Sequence, residues 1–335
     1  MRYIGVDLHK SSFTTCILEG GRKEKSQYKI SNIDDFKKRL QQDDVVAVEM
    51  LGYTRHFAKQ IKDKARIVAV NTTEFKVISH SNKKTDVRDA ENLALYLEKG
   101  LLPTVKIPSD NIAEIRSLTN TRQKLVDMRT TLKNKMHAIL NSYGIMTKHE
   151  DFTGKKGLDR VTQYQINPAA NIELEVIVEQ IKKLNEGIEK LSNEIKSRGT
   201  ELKGFKNITS IKGIGESSGT ILLSAIGDIN DFEDSKKLAS YFGIVPRVRQ
   251  SSDTVRQGSI TKQGNKLART TLVQCTLIAI RYSPYLKAFY EKLKHKKGSG
   301  KAIIATAKKL LNIIYDTLKN DWEFVDFPNY KLKQV

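Results

Sequence analysis

The first hundred residues alternate between two hydrophobic periods. Short runs rich in β-branched and apolar residues, "YIGVDL", "FTTCILE", "SQYKI", "DVVAVEM" and "RIVAVN", read as strands. The segments "NIDDFKKRLQQ", "TRHFAKQIKDK" and "DAENLALYLEKG" place apolar residues three and four apart and read as helices. Three strands precede the first helix, and strands and helices alternate afterwards. Strand signals stop near Asn111, where "NIAEIRSLTNTRQKLVDMRTTLKNKMHAILNSYG" begins one long helical pattern. A second runs from Ala169 to about Lys203 with apolar residues at Leu174, Ile177, Ile181, Leu184, Ile188, Leu191 and Ile195. Steps of three and four in alternation are a coiled-coil seam, with the charges of "EQIKKLNEGIEKLSNEIK" on the outer faces. An intramolecular hairpin tipped by Lys148 to Ile166 and a dimerisation arm fit this pattern equally.

The order βββαβαβα is that of the ribonuclease H-like fold, a mixed sheet covered by helices. The expected organisation is an α/β domain over 1–103, a coiled-coil or helical arm over 104–203, and an all-α C-terminal domain over 204–335. The last of these opens with "ITSIKGIGESSGTILLSAIGDI". The turn at Gly213 and Gly215 between two apolar helical segments resembles a helix-hairpin-helix, whose exposed backbone N–H groups meet a phosphate. A tight helix connection with no ligand would look the same. The segments "NKLARTTLVQCTLIAIR", "SPYLKAFYEKLK" and "GKAIIATAKKLLNIIYDTLK" carry apolar stripes expected to build a core of their own.

Charge gives these domains a partner. The 335-residue chain holds 58 Lys and Arg against 38 Asp and Glu, a net +20, so a polyanion is expected, nucleic acid first. Between Pro246 and Lys309, fifteen basic residues face only Asp253 and Glu291, a local surplus of thirteen. The two cysteines, Cys16 and Cys275, are far apart and lack metal-ligand spacing, which excludes a disulfide scaffold and fits core positions in a reducing compartment. Neither a leader pattern nor a run long enough to span a bilayer is present, so a cytoplasmic, nucleoid-associated protein with no membrane contact is expected.

Asp7 ends the apolar run "YIGVDL", and Glu49 ends "DVVAVEM". Burying an ionised carboxylate is costly unless it is paired or bound to a metal. Asp86 and Asp89 in "KKTDVRDAENLALYL" lie one helical step of three apart, on one face at the start of a helix. Singly, each has an ordinary explanation: an N-cap, an acidic first turn, a strand end. On the expected sheet, Asp7 and Glu49 sit side by side with Asp86 and Asp89 across from them. Mutual repulsion is then resolved by hard divalent cations, Mg²⁺ above all and Mn²⁺ as a substitute, in an arrangement suited to phosphodiester cleavage.

The blocks "YIGVDLHK", "VAVEMLGY", "KKTDVRDAENLA" and "SIKGIGESSGTILLSAIGDINDFEDSKKLASYFGIVPRVRQSS…GSITKQGNKLARTTL" resemble one family, the DEDD recombinases. These comprise the insertion-sequence-110 transposases guided by a bridge RNA and the related Piv DNA invertases. The resemblance implies that Asp7, Glu49, Asp86 and Asp89 form the Mg²⁺ tetrad of a RuvC-like domain. It also implies a serine nucleophile just after "GIVPR". The matching position is Ser251; a glycine commonly follows that serine, and this chain has Ser252 there. Without the resemblance, "QSSDT" reads as a polar turn. Arg247, Arg249, Arg256 and Lys262 flank it, and guanidinium forks suit phosphate.

The resulting expectation is a transposase of an insertion sequence acting on double-stranded DNA through a covalent phosphoserine, with a structured noncoding guide RNA, as a homodimer or homotetramer. A metal-dependent resolvase using water needs only the acidic residues. A non-catalytic RNA- or DNA-binding protein on the same scaffold needs neither them nor Ser251.

Overall fold

The computed structural model describes residues 1–72, 74, 75, 85–152, 154–251 and 254–325. The chain forms two compact units, 1–108 and 109–335. The first is a six-stranded sheet with helices. β1 (Tyr3–Leu8), β2 (Ser12–Glu19) and β3 (Arg22–Lys29) form an antiparallel meander. After α1 (Ile33–Arg39) the chain enters β4 (Val45–Glu49) parallel to β1, and after α2 (Thr54–Ile61) it enters β5 (Arg66–Val70) parallel to β4. α3 (Asp86–Glu98) and the short β6 (Thr104–Val105) complete a sheet of order β3-β2-β1-β4-β5-β6. The expected adjacency of the first strand and the next parallel one is present.

Alternation along β1 divides the two faces. Ile4, Val6 and Leu8 join Phe13, Phe36, Val46, Val48, Phe57 and Ile61 in one core. On the other face Cys16 and Leu18 pack with Ala90 and Ala94, while Ala47 and Val70 pack with Leu93, so α3 covers that side. Gly5 makes the cover close. A Cβ at Gly5 would collide with the Ala90 carbonyl oxygen and lie 2.5 Å from the Ala94 amide nitrogen. The opposite end of the sheet carries a structural carboxylate, Asp44, gripped by Arg2 through two bonds of 2.7 and 2.9 Å.

The second unit is built on two long helices, α4 (Asp110–Ser142) and α6 (Pro168–Thr200). They run antiparallel, as their cross-links show in sequence: Arg198 to Glu114 at 2.8 Å, Arg122 to Ser192 at 2.7 Å, Arg129 to Asn185 at 2.9 Å and Lys135 to Glu173 at 3.0 Å. The seam residues Leu174, Ile177, Ile181, Ile188 and Ile195 are buried within the chain, which makes the hairpin intramolecular. Its far end holds a small core in which Phe152, with Leu158 and Val161 of α5 (Lys155–Val161), packs on Met136, Leu140 and Leu174.

The root of the hairpin enters a larger core. Ile115 joins Phe205 and Ile208 of α7 (Phe205–Thr209), Leu222 and Leu223 of α8 (Glu216–Ile226) and Leu238 of α9 (Ser235–Tyr241). Arg116 donates to the last carbonyls of α8, Ser224 at 2.6 Å and Ala225 at 3.0 Å. Three further helices, α10 (Lys266–Tyr282), α11 (Pro284–Lys297) and α12 (Ser299–Lys319), close this core, as their apolar stripes require.

The expectation of an all-helical C-terminal region needs one correction. β7 (Pro246–Ser251) and β8 (Thr254–Ile260) form an antiparallel hairpin between α9 and α10. Its sequence, "PRVRQS" then "TVRQGSI", alternates polar with polar, so no apolar face betrays the period of two. Cys16 and Cys275 are buried, as expected. Among the described residues no helix is long and apolar enough to cross a membrane.

Candidate functional site

Asp7 follows the last residue of β1 paired to β4, Val6 opposite Val48, and Glu49 follows Val48. Both therefore stand at the same end of neighbouring parallel strands, two residues beyond Gly5 and Ala47 and on the face that α3 covers. α3 starts where it does because Thr85 is its N-cap, accepting the Arg88 N–H at 3.3 Å. Asp89 shares the buried stripe Asp89, Ala90, Leu93 and Ala94, and is 5% exposed. Asp86 lies a turn earlier with its side chain half-exposed. Gly5 draws these two acids down to the strand ends.

Among the described residues, Asp7, His9 and Asp86 form a group whose donor atoms all lie within 4.8 Å of one another. His9 Nε2 is 3.0 Å from Asp7 Oδ2 and 3.4 Å from Asp86 Oδ2. Glu49 and Asp89 share the face but fall outside this grouping. Partial burial acts to lower the His9 pKa, but the charges of Asp7 and Asp86 and their hydrogen bonds outweigh it and hold the imidazole above its ordinary value. A histidine two residues after a strand-end aspartate returns to the same side of the chain, and that spacing in "DLH" is the signal that could have found it. Hard carboxylate oxygens with one imidazole nitrogen are a donor set that fits a divalent cation.

In the second unit, Gly213 and Gly215 behave differently. Gly213 has φ +105° and backs onto α10, where a Cβ would lie 2.7 Å from the Ala279 nitrogen, so packing alone demands glycine there. Gly215 is the exposed N-cap of α8 with open space around it. In the β7–β8 hairpin, Arg249 is paired with Arg256 and Ser251 with Thr254. Arg247 and Arg256 are exposed, and Arg247 Nη2 reaches the Thr261 carbonyl at 3.3 Å. Lys262, also exposed, follows in the left-handed region with φ 55°. The side chains of Arg249 and Ser251, and all of Ser252, lie outside the described residues.

Two family models match this chain. A transposase model of the IS110 DEDD type covers residues 4–145, and the transposase IS116/IS110/IS902 family model covers residues 205–291. Both matched segments are those of IS110-type transposases, and they fall on both units of the chain. Relatives of this chain include a probable family 20 transposase of Pseudomonas aeruginosa, 22% identical over 95% of this chain and 97% of its own. The transposase for insertion sequence element IS1111A of Coxiella burnetii is 22% identical over 95% and 90%. The pilin gene-inverting protein of Moraxella bovis is 29% identical over 72% and 68%. Asp7, His9, Glu49, Asp86 and Asp89 fall in the first matched segment. Gly213, Gly215, Arg247, Arg249, Ser251, Arg256 and Lys262 fall in the second.

Proposed function

We propose that this chain is a transposase that cleaves and exchanges DNA strands at the ends of an insertion sequence, with a RuvC-like acidic site in its first unit and Ser251 as nucleophile in its second. The observation that carries the reading is the meeting of Asp7 and Asp86 at the end of a mixed sheet, in a chain matched by transposase models in both units. Asp7, Glu49, Asp86 and Asp89 would hold Mg²⁺ or Mn²⁺. The bound ion supplies charge for a phosphate oxygen and the leaving oxygen. The exposed Arg247 and Arg256, with Arg249, Lys262 and the open N-terminus of α8 at Gly215, orient DNA by its backbone. Ser251 Oγ then attacks phosphorus and loses its proton, one backbone P–O bond breaks, and the departing oxygen takes up a proton. The new phosphoserine ester conserves the bond energy, so the reverse step rejoins a different strand without ATP.

A structured noncoding RNA of the element would choose the DNA by base pairing, leaving the protein to read shape and phosphate. The family resemblance supports that guide and a dimeric or tetrameric assembly.

The test is a stalled reaction on nicked or mismatched DNA. Wild type should yield protein joined to a DNA end, stable to denaturant and removed by protease. Ser251→Ala should lose the adduct and strand exchange while keeping metal binding, and Asp7→Asn should lose activity with little change in fold. Cleavage at normal rate by Ser251→Ala, with no adduct in wild type, would make water the nucleophile.

A further inference from the structure

We infer that His9 is a direct nitrogen ligand of the cation held by the acidic face, which biases the site toward Mn²⁺ over Mg²⁺. The inference rests on the metal-site reading above and adds to it a residue outside the four carboxylates. Adjacent ligands around an octahedral ion at about 2.1 Å are separated by about 3.0 Å. His9 Nε2 stands 3.0 Å from Asp7 Oδ2 and 3.4 Å from Asp86 Oδ2, with all three donors inside 4.8 Å. The two separations from His9 are near one edge of such an octahedron, and the Asp7 and Asp86 oxygens lie within 4.8 Å of each other, so a small inward shift of the carboxylates brings all three donors onto one ion.

The imidazole is also placed rather than free-swinging at its base. The His9 backbone N–H donates to the Ser12 carbonyl at 2.9 Å and closes the β1–β2 turn, so the histidine follows Asp7 at fixed pitch. Its side chain is half-exposed, which leaves the ring within reach of an arriving ion and its waters. Mg²⁺ prefers oxygen donors and keeps its waters, whereas a first-row transition ion accepts imidazole more readily. A purely electrostatic role, with His9 neutralising Asp7 and Asp86 until the ion displaces it, predicts the opposite sign: removing the ring would then strengthen metal binding.

Pulsed electron paramagnetic resonance on the metal-stripped full chain loaded with Mn²⁺ separates these cases. Wild type should show coupling to an imidazole ¹⁴N, and His9→Ala should lose it. Calorimetric titration should show Mn²⁺ affinity falling about tenfold or more in His9→Ala, and Mg²⁺ affinity falling by less. Asp7→Asn should lose the bound Mn²⁺ and so locate it. Mn²⁺ bound through oxygen alone in wild type, or unchanged or tighter binding by His9→Ala, would overturn the assignment of His9 and leave the carboxylate site standing. Failure of wild type to bind either ion would overturn both.

Discussion

Gly5→Ala tests whether the acidic face depends on one close approach of backbone to backbone. The substituted Cβ would lie 2.5 Å from the Ala94 amide nitrogen and closer still to the Ala90 carbonyl oxygen. Ordinary contacts begin near 3.4 Å, so α3 must retreat by about 1 Å or the strand must bend. Neither yielding atom is the tip of a flexible side chain; both belong to helix backbone. Overpacking of this kind costs about 1–3 kcal/mol. Taking about 2 kcal/mol, amides of α3 should exchange hydrogen about 30-fold faster, provided exchange reports local opening. The same retreat carries Asp86 and Asp89 away from Asp7, so metal affinity should fall in parallel. Gly52→Ala is the control, because nothing lies within 4 Å of a Cβ there. Hydrogen exchange read by mass spectrometry on peptides of residues 86–98 gives the answer. Protection in Gly5→Ala equal to that in Gly52→Ala would refute the claim that this glycine sets the spacing of the site.

Two further outcomes follow from charge. Lys23 and Lys25 hydrogen-bond Glu91 and hold its carboxyl at about 2; a depressed carboxylate stabilises the fold above its ordinary pKa and ceases to as pH falls through the folded value. Glu91→Gln should therefore be less stable at pH 7 by up to about 1 kcal/mol, since these lysines are well exposed, and the gap measured by urea unfolding should narrow as pH falls from about 4.5 toward 2; a constant gap would contradict it. Replacing Arg247 and Arg256 together by Ala should flatten the slope of log affinity for DNA against log salt by about 1.8 if each meets one phosphate, and an unchanged slope would move the contact surface elsewhere.

The α/β unit was legible because its central strands β1, β2 and β4 are buried along most of their length. "YIGVDL" and "VVAVE" had to be strands, and their neighbouring positions in a mixed sheet followed from the order of elements. That was enough to bring Asp7 beside Glu49 and to set Asp86 and Asp89 at a helix start. The onset of α3 at Asp86 depended on the Thr85 cap, a local signal. His9 escaped because a lone histidine in a turn has no periodicity, and its partner Asp86 lies 77 positions downstream. The β7–β8 hairpin escaped because its strands alternate arginine, glutamine and serine with little to bury. The glycines of "GIG" looked alike in sequence; only packing against Ala279 separates Gly213, fixed by a neighbour, from Gly215, open to solvent.

Within the second unit, the paired long helices are anchored in the larger core at their root. At the root, Ile115 is part of the larger core, Arg116 grips the end of α8, and Gly199 sits so close to Thr220 that a Cβ would collide with its hydroxyl. At the far end, Met136 to Ile181 close around a separate small core that braces the tip internally. Each helix has 33 residues and is about 50 Å long. A beam stiff along its length and clamped at its base behaves as a lever. Rotation of about 10° at the Arg116 grip carries the tip through about 9 Å by that length. A force applied at the tip would therefore bear, with a large reduction in travel, on the contact between Arg116 and the carbonyl end of the helix whose other end begins at Gly215.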